Sequence, residues 1–557
     1  MPERILVAVA WPYANGSIHL GHVAGVYLPA DIFARYHRMK GNEVLMVSGS
    51  DAHGTPVTLT AEQRGVTAEE VTSEYQAEFL DNWKRLGISF DLFTSTHTDN
   101  HAKVSQDIFL SLLEQGHIYK DTMRQPYCEK DNRFLADRYV EGKCPHCGFD
   151  NARGDQCDNC GRTLDPQELI GMACRICGNE PVIRETEHFF LKLSEFEKPL
   201  LEWVREQTHW RPNVRNFTIS FLEGGLHDRA ITRDIKWGVH LPLDGYEDKR
   251  LYVWFEAVIG YLSASKEWAE ASGDADRWKA FWQGECRSYY FLGKDNIPFH
   301  TVIWPAMLLG YGGLNLPYDV PANEYLNLEG SQFSTSRNWA VWLPDYLDKY
   351  EPDPLRYVLA AGMPETSDSD FSWREYVRRN NDELVATYGN LVHRVLSMVY
   401  RNFDGKAPDP GELGDPEKEL LDEARRRFQE TGESIELVRL RAALTSAMAL
   451  AHAANRYLDA KEPWRAVKSD KADAARTLWV TLSVINCLKT LLYPFIPFSS
   501  ERLHTMLGFA GSVRDSGWAW SPDDLSPGQK VEKPEPLFAK LDEELVEAEA
   551  LRIGQSE

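Results

Sequence analysis

The chain has 557 residues, and its 61 lysines and arginines against 84 aspartates and glutamates give a formal net charge of −23. Its 43% hydrophobic and 26% charged residues are typical of a globular protein and exclude a collagen-like chain, a disordered chain or a small disulfide scaffold. At about 150 residues per domain, this length allows roughly three or four domains. The acidic balance argues against a generic DNA-coating protein, which would be basic, so a nucleic-acid partner requires locally concentrated positive charge.

No targeting segment or membrane span is predicted. The N-terminal apolar run over residues 5–11 is too short for the hydrophobic region of a signal peptide, and it lacks a small-residue cleavage site. The most apolar later stretch, residues 478–498, contains polar residues such as Asn486 and Lys489, and therefore predicts a buried helix. The cytoplasm is the expected compartment.

The first part of the chain alternates between strand-like and helix-like patterns. Residues 5–11 and 43–48 are predicted strands, and the first is a continuous β-prone run, as expected for a buried parallel strand. Residues 19–40, 56–86 and 98–115 are predicted helices. This alternation predicts an α/β fold with a doubly wound, Rossmann-like parallel sheet.

The α/β pattern is interrupted near residue 120. Residues 124–187 are rich in Cys, Gly, Asp and Arg, and we expect little regular structure in them. The pattern resumes near residue 250, with a strand that ends at Gly293, a helix over 297–309 and a strand over 324–328. We therefore expect one sheet that is interrupted by an inserted domain.

From about residue 380 the sequence predicts an all-α bundle of amphipathic helices. A Gly-, Ser-, Pro- and Asp-rich loop over 508–535 and a short acidic helix over 541–552 are expected after the bundle. The predicted helices of the bundle span residues 381–402, 417–431, 434–459, 464–492 and 499–506.

Seven of the nine cysteines lie between Cys128 and Cys177. In a reducing compartment such a cluster indicates metal more often than disulfides or free thiols. Two C-x2-C pairs offer four thiolates that suit a tetrahedral, structural zinc ion. A second metal site is predicted from two further pairs with the same two-residue spacing, one before and one after the first site in the chain. In one of these pairs an aspartate replaces a cysteine, and a carboxylate oxygen can serve as a zinc ligand. The predicted ligands are Cys144, Cys147, Cys157 and Cys160 in the inner site, and Cys128, Asp131, Cys174 and Cys177 in the outer site.

The segment His19-Leu-Gly-His22 lies at the predicted start of the first helix, directly after the first strand. A helix N-terminus offers unpaired N–H groups that suit phosphate. Gly21 lets a ligand lie against the backbone, and two histidines on one helical face can donate to phosphoryl oxygens. Two incidental histidines are the alternative, but the position after a buried strand favours a phosphate site.

The longer string Ala10-Trp-Pro-Tyr-Ala-Asn-Gly-Ser-Ile-His-Leu-Gly-His22 resembles the HIGH motif region of class I aminoacyl-tRNA synthetases, and within them that of the methionyl-tRNA synthetases. The resemblance extends from Ile5 to the helical bundle. It implies that the chain activates methionine with ATP and Mg²⁺ to methionyl-adenylate, and transfers the methionyl group to the 3′-terminal adenosine of initiator and elongator methionine tRNA. DNA and membranes are not implied as partners, and a monomer is expected.

The resemblance also implies an amino-acid site. Asp51, which follows the second strand, would bind the α-ammonium group, although a loop-capping aspartate is the simpler alternative. The family has a leucine in place of Trp11, which we expect to contribute mainly through its backbone, and a proline in place of Val258. Trp254, Ala257 and Tyr261 would share one face of a helix. By periodicity alone such aromatic residues belong to the core, but they also suit contact with the thioether of methionine. The implied methionine-binding residues are Ala10, Trp11, Tyr13, Asp51, Trp254, Ala257, Tyr261 and His300.

A second group of residues is implied for ATP. A turn at Gly293 follows a strand and opens a helix, as expected for a nucleotide site. The K-M-S-K-S signature of the family is replaced by residues 332–337, which keep both serines and lack both lysines; we expect Arg337, Lys294 or Mg²⁺ to supply the missing charge. The implied ATP-binding residues are Tyr13, Asn15, Gly21, His22, Gly293, Lys294, Asp295 and Thr335, and the implied catalytic residues are His19, His22, Ser334, Thr335, Ser336 and Arg337.

In the predicted bundle, Asn390, Arg394, Pro463 and Trp464 match the anticodon-reading positions of the family. Splayed bases can stack on an exposed tryptophan and form hydrogen bonds with neighbouring polar groups. Without the resemblance, a tryptophan packed at a helix start would be the better interpretation. We expect the basic residues relevant to tRNA near this face and near the catalytic mouth.

These patterns together predict five segments. They are a first Rossmann half over 1–118, a connective insertion with zinc knuckles over 119–225, a second Rossmann half over 226–322, a signature-loop connecting domain over 323–380, and a helical anticodon-binding domain with its tail over 381–557. Two alternatives remain open at this point. One is another class I ligase, and the other is a catalytically weak tRNA-binding paralogue, which the altered signature suggests.

Overall fold

The computed structural model describes residues 2–135, 139–154, 157, 159–160, 162, 164 and 166–555. Its centre is a five-stranded sheet in which the described strands pair in parallel, and this confirms the predicted doubly wound fold. Across the sheet the strands follow the order Ala322–Asn323, Arg287–Gly293, Arg4–Val9, Glu43–Ser50 and Leu92–Ser95.

The first strand, Arg4–Val9, occupies the middle of this sheet. It pairs with Glu43–Ser50 on one side and with Arg287–Gly293 on the other, so the chain winds in both directions from it. Its side chains from Ile5 to Val9 are fully buried, which explains the continuous apolar run. In open α/β sheets, ligands bind in the crevice beyond the carboxyl ends of strands at this switch point.

The helices of the first Rossmann half agree with the predicted ranges except in one case. The helix predicted over residues 56–86 is two helices, because Gly65 adopts a left-handed conformation with φ of 68° and Thr67 caps a new helix start. The bounds are Leu20–His22, which continues through a π-helical segment Val23–Tyr27 into Leu28–Met39, then Thr55–Arg64, Ala68–Leu86 and Asp99–Glu114.

At the end of the second Rossmann half, the strand predicted over residues 324–328 is present as the shorter Leu326–Leu328, but it does not belong to the parallel sheet. Ala322–Asn323 is the edge of the parallel sheet, whereas Leu326–Leu328 joins a separate three-stranded sheet with Ser331–Gln332 and Ser369–Phe371. The short edge strand ends before the chain changes sheets. The helical elements here are Val253–Glu256, Ala257–Ile259, Gly260–Ala271, Lys279–Trp282, Lys294–Asn296, Phe299–Ile303 and Trp304–Tyr311.

The insertion contains more regular structure than its composition predicts. The strands Ile118–Cys128 and Val182–Leu191 pair along their length as an antiparallel ribbon. Many of their central residues are exposed, so polar side chains fill the ribbon and hide the β pattern. The further elements of the insertion are the strands Arg133–Phe134, Val140–Lys143, Ala152–Arg153 and Ile170–Cys174, the 3-10 turns Pro166–Glu168 and Leu193–Phe196, and the helices Glu197–Glu206 and Pro212–Glu223. After residue 225, the short strand Arg229–Ala230 pairs with the ribbon, and Thr232–Arg233 pairs with Arg250–Leu251.

A buried arginine joins a helix of the first Rossmann half, the connecting segment and the bundle. Arg356 lies in the helix Pro352–Ala361, and its Nη2 lies 2.6 Å from Oδ2 of Asp31. The guanidinium also donates to the carbonyls of Pro494 and Phe495, at 2.9 and 2.8 Å. A buried ion pair whose other donors are also satisfied fixes relative position, because breaking it leaves an uncompensated charge.

The C-terminal part is helical, as predicted. The helix predicted over residues 464–492 is broken at Asp470, whose side chain caps the second piece through the N–H of Asp473. Within the described ranges, none of the helices combines the length and apolar character needed to span a lipid bilayer. The helices from the connecting segment onward are Leu343–Leu347, Pro352–Ala361, Trp373–Arg378, Arg379–Gly389, Asn390–Asn402, Asp415–Glu436, Leu440–Lys461, Pro463–Ser469, Lys471–Leu492, Pro497–Met506, Val513–Ser516 and Glu544–Ala550.

Candidate functional site

Two histidines lie at the start of the first helix, beside the switch point. The backbone N–H of Gly21 donates to Nδ1 of His19 at 3.1 Å, and the N–H of His19 donates to Nδ1 of His22 at 3.3 Å. Because both Nδ1 atoms accept, each neutral ring carries its proton on Nε2. Desolvation lowers the pKa of His22 to about 4, and desolvation with the neighbouring His22 lowers the pKa of His19. The pair therefore offers two neutral N–H donors.

The segment that replaces the family signature lies across this helix start. Phe333 stacks on the ring of His19, which in turn stacks on His22, with centroids 4.6 and 3.7 Å apart. Farther along, the N–H of Leu20 donates to the carbonyl of Val341 at 3.1 Å. The signature segment and the histidine pair therefore form one surface.

The hydroxyl-rich part of this segment is a 3-10 turn, Thr335–Arg337. Thr335 and Arg337 are exposed, and Nε of Arg337 donates to Oγ of Ser334 at 3.1 Å. The side chain of Ser336 lies outside the described part of the chain. Arg337 thus contributes a cation to the loop in which the family signature carries lysines.

Lys294, the other residue expected to supply charge, is already paired. Its Nζ lies 2.8 Å from Glu324 and 3.0 Å from Asp368, above the ring of Tyr325. The hydroxyl of Tyr325 donates to Asp295 in the same turn. In this arrangement the turn after Gly293 is tied to the connecting segment, and the charge of Lys294 is balanced by carboxylates.

A cavity lies near these groups, beyond the carboxyl ends of the central strands. All eight residues expected to bind methionine line it, together with Val258, which the sequence marks only as the position of the family's proline. Two further lining residues, Asn296 and Phe299, were not predicted for this site. Asn296 follows Asp295 in the turn after the strand Arg287–Gly293, and Phe299 precedes His300, so these neighbours were the available signals.

A tyrosine–histidine pair forms the deep part of the cavity. The carbonyl of Asn296 accepts from Nδ1 of His300 at 2.9 Å, so Nε2 of His300 accepts from the hydroxyl of Tyr261 at 2.7 Å. Burial lowers the pKa of His300 to about 4. The neutral pair and the surrounding aromatic rings suit an uncharged, polarizable side chain.

Asp51 is the buried carboxyl group of the same cavity. The N–H of His53 donates to its Oδ1 at 3.2 Å, and its backbone bonds to Pro12 and Ala14. Burial and the nearby charge of Glu256 raise the pKa of Asp51 well above its usual range. An ammonium group in the cavity would favour the ionised form and would be bound by it.

The indole of Trp11 fills space that two glycines leave open. A Cβ atom at Gly260 would lie 2.7 Å from the indole, and one at Gly49 would overlap it. The ring also meets the edge of Tyr261, with centroids 6.4 Å apart. In addition to its backbone, the Trp11 side chain therefore packs behind the cavity.

The inner cysteine cluster has the dimensions of a tetrahedral thiolate site. The Sγ atoms of Cys144 and Cys160 lie 3.9 Å apart, and those of Cys147 and Cys157 lie 3.6 Å apart. A zinc ion with Zn–S bonds of about 2.3 Å requires sulfur atoms roughly 3.8 Å apart. These four residues are placed so that they could hold a zinc ion.

The outer cluster is also assembled. Oδ2 of Asp131 lies 3.2 Å from Sγ of Cys128 and 3.2 Å from Sγ of Cys174, and the Sγ atoms of Cys128 and Cys177 lie 3.4 Å apart. All ligand atoms lie within 4.8 Å of one another. Three thiols and one carboxylate satisfy the donor requirements of a structural zinc site.

In the bundle, the structure brings together two of the residues expected to read the anticodon. The guanidinium of Arg394 lies 5.1 Å from the ring centre of Trp464, which is 37% exposed. Pro463 begins the helix Pro463–Ser469, and Asn390 begins Asn390–Asn402 one turn before Arg394 and is exposed. A cation and an open aromatic face therefore share this surface.

Comparison with known proteins defines the class. A family model described as "tRNA synthetases class I (M)" matches residues 5–396, and one described as "Anticodon binding domain of methionyl tRNA ligase" matches residues 407–556. Fold and site together are those of a class I aminoacyl-tRNA synthetase. Since the matches cover both the catalytic part and the bundle, the chain belongs to the methionyl-tRNA synthetase family.

Relatives and solved structures agree with this assignment. The methionine–tRNA ligase of Dehalococcoides mccartyi is 59% identical over 554 residues, covering 100% of both chains, and that of Thermomicrobium roseum is 55% identical over 582 residues, covering 99% of each. A structure of Mycobacterium tuberculosis methionyl-tRNA synthetase in complex with methionyl-adenylate is 27% identical, with a TM-score of 0.80 over 96% of this chain and 99% of that one. The apo form of that enzyme gives 0.72 over 97% and 98%, at 26% identity.

Proposed function

We propose that the protein is a methionine–tRNA ligase. It activates methionine with ATP to methionyl-adenylate and pyrophosphate, and it transfers the methionyl group to the 3′-terminal adenosine of tRNA. The observation that carries this proposal is the juxtaposition of the His19–His22 pair with a cavity that contains the buried Asp51 at the switch point of the sheet. Family membership supports the same activity.

In the proposed activation step, the methionine carboxylate attacks the α-phosphorus of ATP and pyrophosphate leaves. His19 and His22 donate from Nε2 to phosphoryl oxygens, and Arg337 supplies a cation for the triphosphate. Mg²⁺ bound with ATP would add further charge compensation. Such catalysis consists mainly of positioning and charge stabilisation. Ser334, Thr335 and Ser336 are proposed to complete the signature loop, and Tyr13, Asn15, Gly21, Gly293, Lys294 and Asp295 to surround the nucleotide.

In the proposed amino-acid site, Asp51 binds the α-ammonium group and the aromatic part of the cavity receives the thioether. The neutral Tyr261–His300 pair supports this assignment, because an apolar side chain does not require a charged partner there. The rest of the wall is formed by Ala10, Trp11, Tyr13, Trp254, Ala257, Val258, Asn296 and Phe299.

The tRNA is proposed to contact the bundle through Asn390, Arg394, Pro463 and Trp464, with initiator and elongator methionine tRNAs both as substrates. The cysteine clusters are proposed to hold two structural zinc ions, which stabilise an insertion of limited apolar content. The five segments predicted from the sequence are the proposed domain division, and a cytoplasmic monomer is the proposed state of the molecule.

Methionine-dependent ATP–pyrophosphate exchange tests the proposed function. The full chain should exchange labelled pyrophosphate into ATP with methionine and not with leucine, valine or cysteine. This outcome would exclude both another class I ligase and an idle tRNA-binding paralogue. Exchange with another amino acid, or none with methionine, would contradict the proposal.

A further inference from the structure

A buried carboxylate lies directly behind the amino-acid cavity. Glu256 stands in the chain between Phe255 and the cavity residue Ala257, but it does not line the cavity itself. Its side chain is fully buried. A buried carboxylate is costly unless it is paired and hydrogen-bonded, so its partners indicate what it holds in place.

Two histidines from different elements meet this carboxylate. Nδ1 of His53 lies 2.8 Å from Oε1 of Glu256, and Nε2 of His101 lies 2.5 Å from Oε2. His53 follows Asp51 in the segment after the second strand, and His101 lies in the first turn of the helix Asp99–Glu114. Glu256 therefore joins three separate parts of the catalytic domain.

The hydrogen bonds orient both ring nitrogens of His101. The hydroxyl of Ser263 donates to the carbonyl of Gly260 at 3.0 Å, so its oxygen accepts from Nδ1 of His101 at 2.9 Å. Nε2 of His101 faces Oε2 of Glu256, and the hydroxyl of Ser105 lies 3.2 Å from the same nitrogen. Burial alone would raise the pKa of Glu256, but the interaction with His53 and the hydrogen bond with His101 outweigh it and lower the pKa to about 2. Glu256 is therefore a buried carboxylate whose two oxygens both have partners.

The same network reaches Asp51 through the backbone. The N–H of His53 donates to Oδ1 of Asp51 at 3.2 Å. Between them, the N–H of Ala52 donates to Thr96, and its carbonyl accepts from Trp237 at 2.7 Å. The loop is therefore fixed by the bonds at Ala52, by the backbone bonds of Asp51 to Pro12 and Ala14, and by the side chain of His53. That side chain contacts Glu256 through Nδ1 and His97 through Nε2, at 3.3 Å.

We propose that Glu256 is a positioning residue for the α-ammonium group of the amino-acid substrate. Through His53 it holds the loop that carries Asp51, and through His101 it holds the cavity wall between Trp254 and Ala257. The inference rests on the proposed function, in which Asp51 binds that ammonium group. It predicts a main effect on methionine and little on ATP, because the carboxylate of Glu256 contacts His53 and His101, neither of which is a proposed nucleotide residue, although Tyr13 pairs with Asp51.

Steady-state exchange kinetics of the full-length protein test this role. Glu256→Gln keeps the size of the side chain and removes its charge, and should raise the KM for methionine about tenfold or more, with the KM for ATP changed less than about twofold. Calorimetric titration with methionine alone should show the same loss. Glu256→Asp retains the charge and should lie between Gln and the wild type. The matched control is Glu501→Gln, whose partly buried carboxylate accepts from the N–H of Val513 in the C-terminal helical part and has no contact with this network.

A milder variant keeps the test decisive if Glu256→Gln does not fold. Ser263→Ala changes no charged residue and removes the hydroxyl that accepts from His101 and donates to the carbonyl of Gly260, and it should raise the KM for methionine about threefold. Unchanged KM for methionine in Ser263→Ala, and in Glu256→Gln if it folds, would overturn the positioning role while leaving the proposed function intact. A wild-type protein without methionine-dependent exchange would instead overturn the proposed function.

Discussion

Phe333 and His19 form a parallel stack, with ring centroids 4.6 Å apart and planes 12° apart. His19 is the first histidine of the helix-start pair, and Phe333 belongs to the segment that replaces the family signature. The stack places an uncharged ring contact between the signature segment and the proposed phosphate site. In this chain, aromatic packing therefore contributes to holding the loop in place.

The stack between Phe333 and His19 predicts an effect on the KM for ATP. Phe333→Ala should raise the KM for ATP several-fold in pyrophosphate exchange, since an aromatic pair contributes roughly 1 kcal/mol beyond its buried area. Phe333→Tyr retains the ring and should behave like the wild type. An alanine variant with unchanged KM for ATP would show that the stack does not position the loop.

Arg337 is expected to supply the cation that the signature loop otherwise lacks. Arg337→Ala should lower kcat for exchange about 100-fold, as loss of one charge-stabilising donor does in other enzymes, and Arg337→Lys should recover part of it. Arg374→Ala removes another exposed arginine of the connecting segment and serves as the control. If Arg337→Ala exchanges at the wild-type rate, the charge comes from another group.

His300 predicts how stability depends on pH. Its pKa is about 4 in the folded protein and about 6.5 in the unfolded chain, so between these values the unfolded state binds more protons. Above pH 6.5, keeping His300 neutral contributes about 3 kcal/mol to the free energy of unfolding. This contribution is lost as the pH falls toward 4. Between pH 6.5 and 4, urea unfolding should show a smaller loss of the free energy of unfolding in His300→Gln than in the wild type. Identical pH dependence in the two proteins would contradict the burial of a neutral histidine.

The cysteine clusters predict a metal content. Metal analysis of the purified protein should give two zinc ions per chain, and Cys174→Ser should give one. Chelation should make the insertion sensitive to protease while the parallel sheet stays folded, because zinc binding energy stabilises the insertion. Cys286→Ser, which changes a cysteine outside both clusters, should keep both ions. One zinc ion in the wild type would exclude the outer site.

Much of the fold followed from local pattern. The buried run from Ile5 to Val9 and the separate cysteine pairs predicted the parallel sheet and the metal-binding clusters. The long ribbon that begins at Ile118 was missed, because its exposed faces carry polar residues without alternation. Residues 55–86 form two helices because Gly65 adopts a left-handed conformation, and hydrophobic periodicity does not predict such a break.

The residues of the candidate site were likewise predicted only in part. Residues such as Asp51 and Trp254 were reached through motifs, whereas Phe299 carries no motif of its own. The pairing of Lys294 with Glu324 and Asp368 depends on contacts between segments far apart in the chain, so sequence alone left Lys294 available for the triphosphate. The Glu256 network likewise depends on three elements that only folding brings together.

Charging of tRNA tests the central claim most directly. The wild-type protein, supplied with ATP and labelled methionine, should esterify methionine tRNA at its 3′-terminal adenosine. Trp464→Ala should reduce kcat/KM for tRNA about tenfold or more, because base stacking is lost, and it should leave pyrophosphate exchange unchanged. Tyr400→Ala alters another exposed aromatic ring of the bundle and should change neither activity. A wild-type protein that forms no methionyl-tRNA under these conditions would contradict the account.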